Sequence, residues 1–168
     1  MIAMKSLRKR IMRAKTKPMS YALRKLARRS YSIQEMKEAL FKVDYEKCEV
    51  EEVISQLINK GYLNDRIFAQ RLYDYYIQHK LCGPLLLPLK LKSKGIQGDL
   101  IDELMVDYSS EKELEIIQIL FGKLLKKNKN SNQDLLIRQL QRKGFTCSNI
   151  NKYLRLNWTD NEFNVKRP

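Results

Sequence analysis

The chain has 168 residues, of which 43% are hydrophobic and 31% are charged. This composition excludes a wholly disordered protein and leaves room for one ordinary domain or a few small repeats. Lys and Arg number 33 against 19 Asp and Glu, so the net charge is +14. Such a charge is unusual for a cytosolic enzyme and indicates a polyanion or an acidic protein surface as the partner.

The positive charge is concentrated at the N-terminus. The first 34 residues contain eleven Lys or Arg and no acidic residue, whereas the remaining 134 residues have a net charge of only +3. We predict that residues 1–19 form a basic arm that binds phosphate groups. The cations of this arm are Lys5, Arg8, Lys9, Arg10, Arg13, Lys15 and Lys17. The opening of a helix and an organelle transit peptide have a similar composition and stay open as alternatives.

The cysteines and the longest apolar run indicate the compartment. Cys48, Cys82 and Cys147 are widely spaced and match no disulfide or metal-ligand pattern. The longest apolar run, residues 85–89, contains Pro88 and is too short for a membrane span or a signal-peptide core. We therefore expect a cytoplasmic monomer with no metal, no other cofactor and no membrane partner.

The apolar periodicity predicts an all-α fold. Apolar residues recur at steps of three and four, and only six Gly and four Pro interrupt them, so we predict about nine helices. Amphipathic segments are predicted at residues 21–29, 65–80 and 111–127. Helix starts with capping spacing are predicted at Ser32, Asn64, Ser110 and Ser131. Helix ends, each with an apolar residue after the glycine, are predicted at Gly61, Gly95 and Gly144.

The segments also share a repeated register. When Asp44, Gly95 and Gly144 are aligned, at offsets of 51 and 49 residues, six apolar columns coincide. The columns are Met36, Leu87 and Leu136; Leu40, Leu91 and Leu140; Tyr45, Ile96 and Phe145; Val50, Ile101 and Ile150; Val53, Leu104 and Tyr153; Ile54, Met105 and Leu154. This register predicts three tandem three-helix repeats that form an elongated, curved array. The repeats are expected at 20–63, 64–108 and 109–156, followed by a tail at 157–168.

No catalytic site is predicted. The single histidine, His79, lies near Cys82, but no orienting group or oxyanion site accompanies the pair. The chain contains no phosphate-binding loop, dinucleotide fingerprint, zinc-protease motif or nucleophile elbow. Acidic residues that are adjacent on a helix, such as Glu51 and Glu52, point in different directions. We therefore expect a protein without enzymatic activity.

Basic clusters are the candidate binding sites. In residues 21–29 the cations lie at i, i+4 spacing on one side of the predicted helix, and Ala22, Leu23, Leu26 and Ala27 supply the apolar side. The candidate cations are Arg24, Lys25, Arg28 and Arg29 in this segment, Lys90, Lys92 and Lys94 in the second repeat, and Arg138, Arg142 and Lys143 in the third. Each cluster could also be an ordinary solvated helix face.

The aromatic residues of the segment 65–80 have two interpretations. Tyr73, Tyr75 and Tyr76 could stack on bases. A helical stripe also runs through Phe68, Leu72, Tyr76 and His79, so packing in the core or between repeats is the favoured interpretation.

Several short motifs, in order and spacing, resemble the RecX family of regulators of the RecA recombinase. The motifs are Ala22-Leu23, Leu26-Ala27-Arg28-Arg29, Ser32-x-x-Glu35-Met36, Asn64-Asp65-x-x-Phe68-Ala69, Gly83-Pro84, Lys94-Gly95-Ile96 and Arg138-x-Leu140-x-Arg142-Lys143-Gly144-Phe145. They cover about residues 20–156. Asn64 stands where the family tends to have Asp, which preserves capping. Pro88 follows Pro84 by four residues, so the helix either is kinked there or begins near Pro88.

The resemblance implies three tandem three-helix repeats and no enzymatic activity. It also implies binding to the RecA–DNA filament, modulation of the recombinase, usually by inhibition of its ATP hydrolysis and strand exchange, and a role in DNA repair, recombination and the SOS response. The candidate cations would contact RecA or, without sequence preference, DNA. A free-standing basic helical nucleic-acid-binding protein is the alternative, and a small enzyme is a third, less supported one.

Overall fold

A computed structural model describes residues 17–127 and 133–157 of the chain. Within these ranges the chain forms nine α-helices and no strand, so the predicted all-α class is confirmed. The helices are α1 Pro18–Leu26, α2 Ile33–Phe41, α3 Lys47–Asn59, α4 Asp65–Tyr75, α5 Leu87–Lys92, α6 Gly98–Val106, α7 Ser110–Lys127, α8 Gln133–Arg142 and α9 Cys147–Asn157. A π-helical turn, Tyr76–Lys80, continues α4. None of these helices is long and apolar enough to cross a membrane.

The helices group into two compact units. The first contains the described residues up to Gln70 together with the turn Ser93–Gln97, and the second contains Arg71–Lys92 and the described residues from Gly98 onward. The boundaries 20–63, 64–108 and 109–156 and the elongated, curved arrangement of the repeats stay predictions.

The core of the first unit is formed by α1, α2 and α3. Met36, Leu40, Val50 and Leu57 have no exposed surface, and Ala22 of α1 is equally buried against them. Burial of each large aliphatic side chain contributes roughly 1.5–3 kcal/mol, so this cluster is the main source of stability in the unit. The start of α2 is capped as predicted, because Ser32 Oγ accepts a hydrogen bond from the Glu35 N–H at 3.0 Å.

The second unit buries most of the residues that share the repeated register. Its fully buried side chains include Leu87 and Leu91 of α5, Leu136 and Leu140 of α8, and Ile117 of α7. The equivalent residues of the first unit, Met36 and Leu40, are also fully buried. The two columns that precede the aligned turn therefore hold core residues in every repeat, as the periodicity predicts.

The aligned turn has the same backbone conformation in all three repeats. Asp44, Gly95 and Gly144 have φ values of 64°, 78° and 83°, all in the left-handed region. The predicted helix ends at Gly95 and Gly144 are confirmed, and the end at Gly61 has a φ of 72°. The register found from apolar columns is thus also the register of the backbone.

Two of these turns accept hydrogen bonds from a residue that precedes a helix of another repeat. In the first unit, Ser32 Oγ donates to the Lys94 carbonyl at 2.6 Å. In the second unit, the Gly83 N–H donates to the Lys143 carbonyl at 2.8 Å. Ser32 and Gly83 are 51 residues apart and Lys94 and Lys143 are 49 apart, which are the two repeat offsets. The same contact therefore occurs twice, in one case through a side chain and in the other through the backbone.

This contact explains why the turn is glycine in the second and third repeats. A Cβ atom on Gly95 would overlap the side chain of Gln34, and one on Gly144 would overlap Leu86, including its backbone. At Gly61, in contrast, a Cβ atom would point into open space, with no atom of a residue beyond its chain neighbours within 4 Å. Gly95 and Gly144 are thus favoured by close packing as well as by φ, whereas Gly61 is favoured by φ alone.

Several predicted helix boundaries are corrected. The first segment, predicted to reach Arg29, ends at Leu26, and Arg28 and Arg29 lie in the turn that follows. α7 is capped by Ser109 rather than by Ser110, because Ser109 Oγ accepts from the Lys112 N–H at 3.2 Å. The start at Asn64 is confirmed, since its Oδ1 accepts from the Ile67 N–H. The predicted start at Ser131 lies outside the described residues.

The structure also resolves two alternatives in the middle of the chain. α5 begins at Leu87, so the helix starts near Pro88 instead of being kinked there. On α4 and its π-helical turn, the buried face lies one residue further along the chain than the predicted aromatic stripe. The buried residues are Ala69, Tyr73 and Ile77.

Candidate functional site

The first basic cluster lies at the C-terminal end of α1. Arg24 and Lys25 occupy the last turn of the helix, where positive charge is favoured by the helix dipole. The N–H groups of Arg28 and Arg29 both donate to the Lys25 carbonyl, at 3.0 and 3.4 Å, which keeps the four cations together. Arg24, Arg28 and Arg29 are exposed, and Lys25 is half-buried.

An aromatic ring orients two of these cations. The guanidinium of Arg24 and the ammonium of Lys25 lie 5.7 and 5.5 Å from the centre of the Tyr21 ring. Tyr21 itself packs edge-on against Tyr45, with ring centres 6.1 Å apart. Cation–π contacts of this length contribute roughly 0.5–1 kcal/mol at exposed sites. Leu23, predicted on the apolar side, is 39% exposed, so part of the cluster's surface is apolar.

Arg29 and Lys94 converge on one carboxylate. Arg29 Nη1 donates to Glu35 Oε2 at 2.7 Å, and Lys94 Nζ donates to Glu35 Oε1 at 3.2 Å. The Arg29 guanidinium also stacks over the Tyr31 ring at 3.6 Å. We call Arg29, Glu35 and Lys94 the Glu35 cluster; all three belong to the first unit. Arg29 is six residues from Glu35 and Lys94 is 59 residues from it, and no sequence signal predicted either contact.

The electrostatics of the Glu35 cluster follow from burial and charge. Burial raises the pKa of Glu35, but the hydrogen bonds from Arg29 and Lys94 outweigh it, so the pKa lies below its ordinary value. The hydrogen bond to Glu35 raises the pKa of Arg29 despite partial burial. The carboxylate is therefore ionised at neutral pH, and the cluster has a net charge of +1.

We expect Glu35→Gln to lower the free energy of unfolding by about 1 kcal/mol at neutral pH. Because the folded pKa of Glu35 is depressed, this stabilisation is complete above the ordinary value of 4.5 and is lost as the pH falls through the folded value. Urea unfolding of parent and variant at about pH 7 and about pH 3 measures the effect, and the difference should shrink at the lower pH. An equal difference at both pH values would contradict this prediction.

The second cluster is not a single stripe. Lys90 and Lys92 lie exposed on α5 in the second unit, whereas Lys94 lies in the turn Ser93–Gln97 of the first unit. Lys94 is also committed to the Glu35 cluster and through its carbonyl to Ser32. Lys94 therefore belongs to a different unit from the other two cations.

The third cluster borders an open groove in the second unit. Arg138 and Arg142 are exposed one turn apart on α8, while the half-buried Lys143 donates through Nζ to the Lys80 carbonyl at 2.6 Å. Arg142 and Lys143 line a groove of about 200 Å³ whose other lining residues are Leu120, Leu124 and Gln139. Of the three cations, Arg138 and Arg142 are the more accessible to an anion.

The buried carboxylate of Glu113 accepts long-range hydrogen bonds in the second unit that the sequence did not predict. Glu113 is 3% exposed and accepts from the Thr146 N–H at 2.6 Å, from Thr146 Oγ1 at 3.2 Å and from Asn149 Nδ2 at 2.7 Å. These donors surround the start of α9, so Glu113 caps that helix from a distance. The spacing from Ser110 to Glu113 predicts only a local cap.

The remaining candidates have structural surroundings. His79 is exposed and lies against the Tyr75 ring at 5.5 Å, while Cys82 is buried, which raises the pKa of its thiol. Tyr73 is 3% exposed, and burial raises its pKa to about 12, as expected for a core residue. Tyr75 is 43% exposed. Among the cations of the predicted arm, Lys17 is exposed just before α1, and Lys5, Arg8, Lys9, Arg10, Arg13 and Lys15 lie outside the described residues.

Comparison with known proteins identifies relatives of most of the chain. Residues 19–57 match the model of the first three-helix domain of RecX. The regulatory protein RecX of Listeria monocytogenes serovar 1/2a is 31% identical over 134 residues, which cover 77% of this chain and 50% of that protein. The regulatory protein RecX of Bacillus velezensis is 32% identical over 150 residues, covering 87% of this chain and 57% of that protein. The chain thus spans about half the length of the curated relatives it matches.

Solved structures show the same fold. A crystal structure of RecX from Lactobacillus salivarius has a TM-score of 0.71 and 22% identity, covering 83% of this chain and 94% of that one. A crystal structure of a regulatory protein RecX also has a TM-score of 0.71, with 21% identity, and covers 92% of this chain and 77% of that one. The regulatory proteins RecX that are 31% and 32% identical over 77% and 87% of this chain show that it belongs to the RecX family.

Proposed function

We propose that this protein binds the RecA–DNA filament and inhibits the recombinase and its ATP hydrolysis during DNA repair and recombination. The observation that carries the proposal is the basic cluster at the end of α1. Arg24, Lys25 and Arg28 form no ion pair with any carboxylate in the described residues. The Tyr21 ring orients Arg24 and Lys25. The names of the relatives, regulatory protein RecX, support a regulatory role.

The physical basis is the sum of several modest contacts. A recombinase filament on DNA presents phosphate groups and repeated protein surfaces at regular intervals. Phosphate contacts do not depend on base sequence, and separate clusters on one chain add their binding energies. A protein that binds best to a filament state with low ATPase activity shifts the population towards that state and inhibits turnover.

The two exposed arginines provide the test. Arg24→Glu with Arg28→Glu changes the net charge from +14 to +10 and leaves Arg29 and the Glu35 cluster intact. We expect the concentration needed for half-inhibition of DNA-dependent ATP hydrolysis by the recombinase to rise about tenfold, which corresponds to about 1.4 kcal/mol. Circular dichroism should remain that of the parent, because both side chains project into solvent.

A matched control separates local contact from overall charge. Lys42→Glu with Lys60→Glu makes the same change in net charge at the C-terminal ends of α2 and α3, where both lysines are exposed. This control should inhibit within about twofold of the parent. An equal loss of inhibition in both double variants would contradict a specific contact at α1. If the parent bound bare DNA but left ATP hydrolysis unchanged, the alternative of a free-standing nucleic-acid-binding protein would replace the proposal.

A further inference from the structure

The Glu35 cluster combines fixed cations with solvent access. The side chains of Arg29 and Lys94 are 48% and 37% exposed, whereas that of Glu35 is only 15% exposed. A guanidinium has five N–H donors and an ammonium has three, so the bonds to Glu35 use only part of their capacity. Both cations can therefore reach a second anion that approaches from solvent.

The positions of the two cations are held by neighbouring groups. The Arg29 guanidinium lies 3.6 Å over the Tyr31 ring and its Nη1 also donates to the Ser30 carbonyl at 2.9 Å. The backbone of Lys94 is held by the hydrogen bond from the fully buried Ser32, at 2.6 Å. Ordering these long side chains costs conformational entropy, and here the fold has already ordered them before any ligand binds.

We propose that Arg29 and Lys94 form a binding site for the backbone phosphate of single-stranded DNA, and that Glu35 lowers the affinity of this site by occupying it with the chain's own carboxylate. The inference rests on the nucleic-acid partner of the proposed function. It adds a site that includes one cation from the first basic cluster and one from the second.

The energies are compatible with exchange of one anion for another. A partly exposed ion pair contributes about 0–1 kcal/mol, so a phosphate that displaces Glu35 loses little. A phosphate that instead binds the N–H groups of Arg29 and Lys94 that Glu35 does not use is repelled by the negative charge of Glu35. In both cases the carboxylate opposes binding, and a neutral group of the same shape does not.

Glu35→Gln tests this effect, because the amide retains an oxygen that accepts from Arg29 or Lys94. The matched control is Glu38→Gln. Glu38 is exposed on the same helix, and its Oε1 accepts from Gln34 Nε2 at 2.9 Å. Each of the two substitutions removes one negative charge and gives a net charge of +15. Binding of fluorescent oligothymidylate is measured by anisotropy at several salt concentrations.

We expect Glu35→Gln to bind the oligonucleotide about three- to tenfold more tightly than the parent at low salt. The slope of log K against log salt should become steeper by about 0.7, since the site binds one phosphate and each phosphate contact on a single strand contributes about 0.7. Glu38→Gln should match the parent within about twofold. Adding Arg29→Gln and Lys94→Gln to Glu35→Gln should abolish the gain. Equal binding by the two single variants, with parental circular dichroism, would overturn the proposal.

A second measurement uses the parent protein and does not depend on how the variants fold. Saturating oligothymidylate should protect Lys94 from acetylation by acetic anhydride, as measured by mass spectrometry, and leave the exposed Lys42 unprotected. Equal labelling of Lys94 with and without oligonucleotide would overturn the site. Inhibition of the recombinase is a separate readout, so the proposed function can stand when this phosphate site fails.

Discussion

Leu140→Asp is expected to unfold the second unit. Leu140 has no exposed surface on α8, and the matching Leu40 of the first unit is equally buried. Truncation of a buried leucine costs about 2–5 kcal/mol, and an unpaired carboxylate in the core adds several more. The total is comparable with the whole stability of an ordinary domain, about 5–15 kcal/mol. Leu40→Asp should unfold the first unit for the same reason.

Circular dichroism and thermal melting measure this effect, and an exposed leucine provides the control. Leu156, on α9 of the same unit, is 70% exposed, so Leu156→Asp should melt close to the parent. Leu140→Asp should lose much of its helical signal and its cooperative transition. A melting curve for Leu140→Asp that matched that of Leu156→Asp would show that the register of the third repeat is wrong.

Gly144→Ala is expected to be far more costly than Gly61→Ala, although both glycines have a positive φ. Alanine in the left-handed region costs about 1–2 kcal/mol at either position. At Gly144 the new Cβ also overlaps the Cβ and backbone of Leu86, whereas the space around Gly61 is open. Overpacking adds roughly 1–3 kcal/mol, and backbone atoms cannot move aside as a flexible side chain does.

The clash at Gly144 also threatens two hydrogen bonds of the turn. The Leu85 N–H donates to the Gly144 carbonyl at 3.0 Å, and the Gly83 N–H donates to the Lys143 carbonyl at 2.8 Å. Urea unfolding should therefore give a loss of about 2–5 kcal/mol for Gly144→Ala and about 1–2 kcal/mol for Gly61→Ala. Equal losses in the two variants would mean that the turn does not pack closely on the start of α5.

Local features of the chain were determined by the sequence alone. A helix cap involves residues three positions apart, as in Ser32 with Glu35 and Asn64 with Ile67, and the structure shows both bonds. The buried face of a helix is set by its 3.6-residue period, so the columns through Leu40, Leu91 and Leu140 were found correctly. The family itself followed from short motifs in order.

The middle of the chain needed tertiary structure because local rules allowed two outcomes. Pro84 and Pro88 were compatible with a kinked helix or with a later start. The Gly83 and Leu85 N–H groups donate to the turn that ends at Gly144, and Pro88 has no N–H to donate to the Pro84 carbonyl, so α5 begins at Leu87. A hydrogen bond to a residue about 60 positions away cannot be predicted from the segment's own propensity.

In the candidate site, too, some features follow from the sequence and others only from tertiary packing. The sequence identified clusters of cations, but it could not determine which of them an internal carboxylate already binds. Glu35 meets Lys94 across 59 residues and Glu113 meets Thr146 across 33, and such pairs form only when the helices pack. The sequence thus determined the helices, their register and the excess of positive charge. Packing alone decided which charges stay available to a partner, because ion pairs depend on distances that residue spacing does not define.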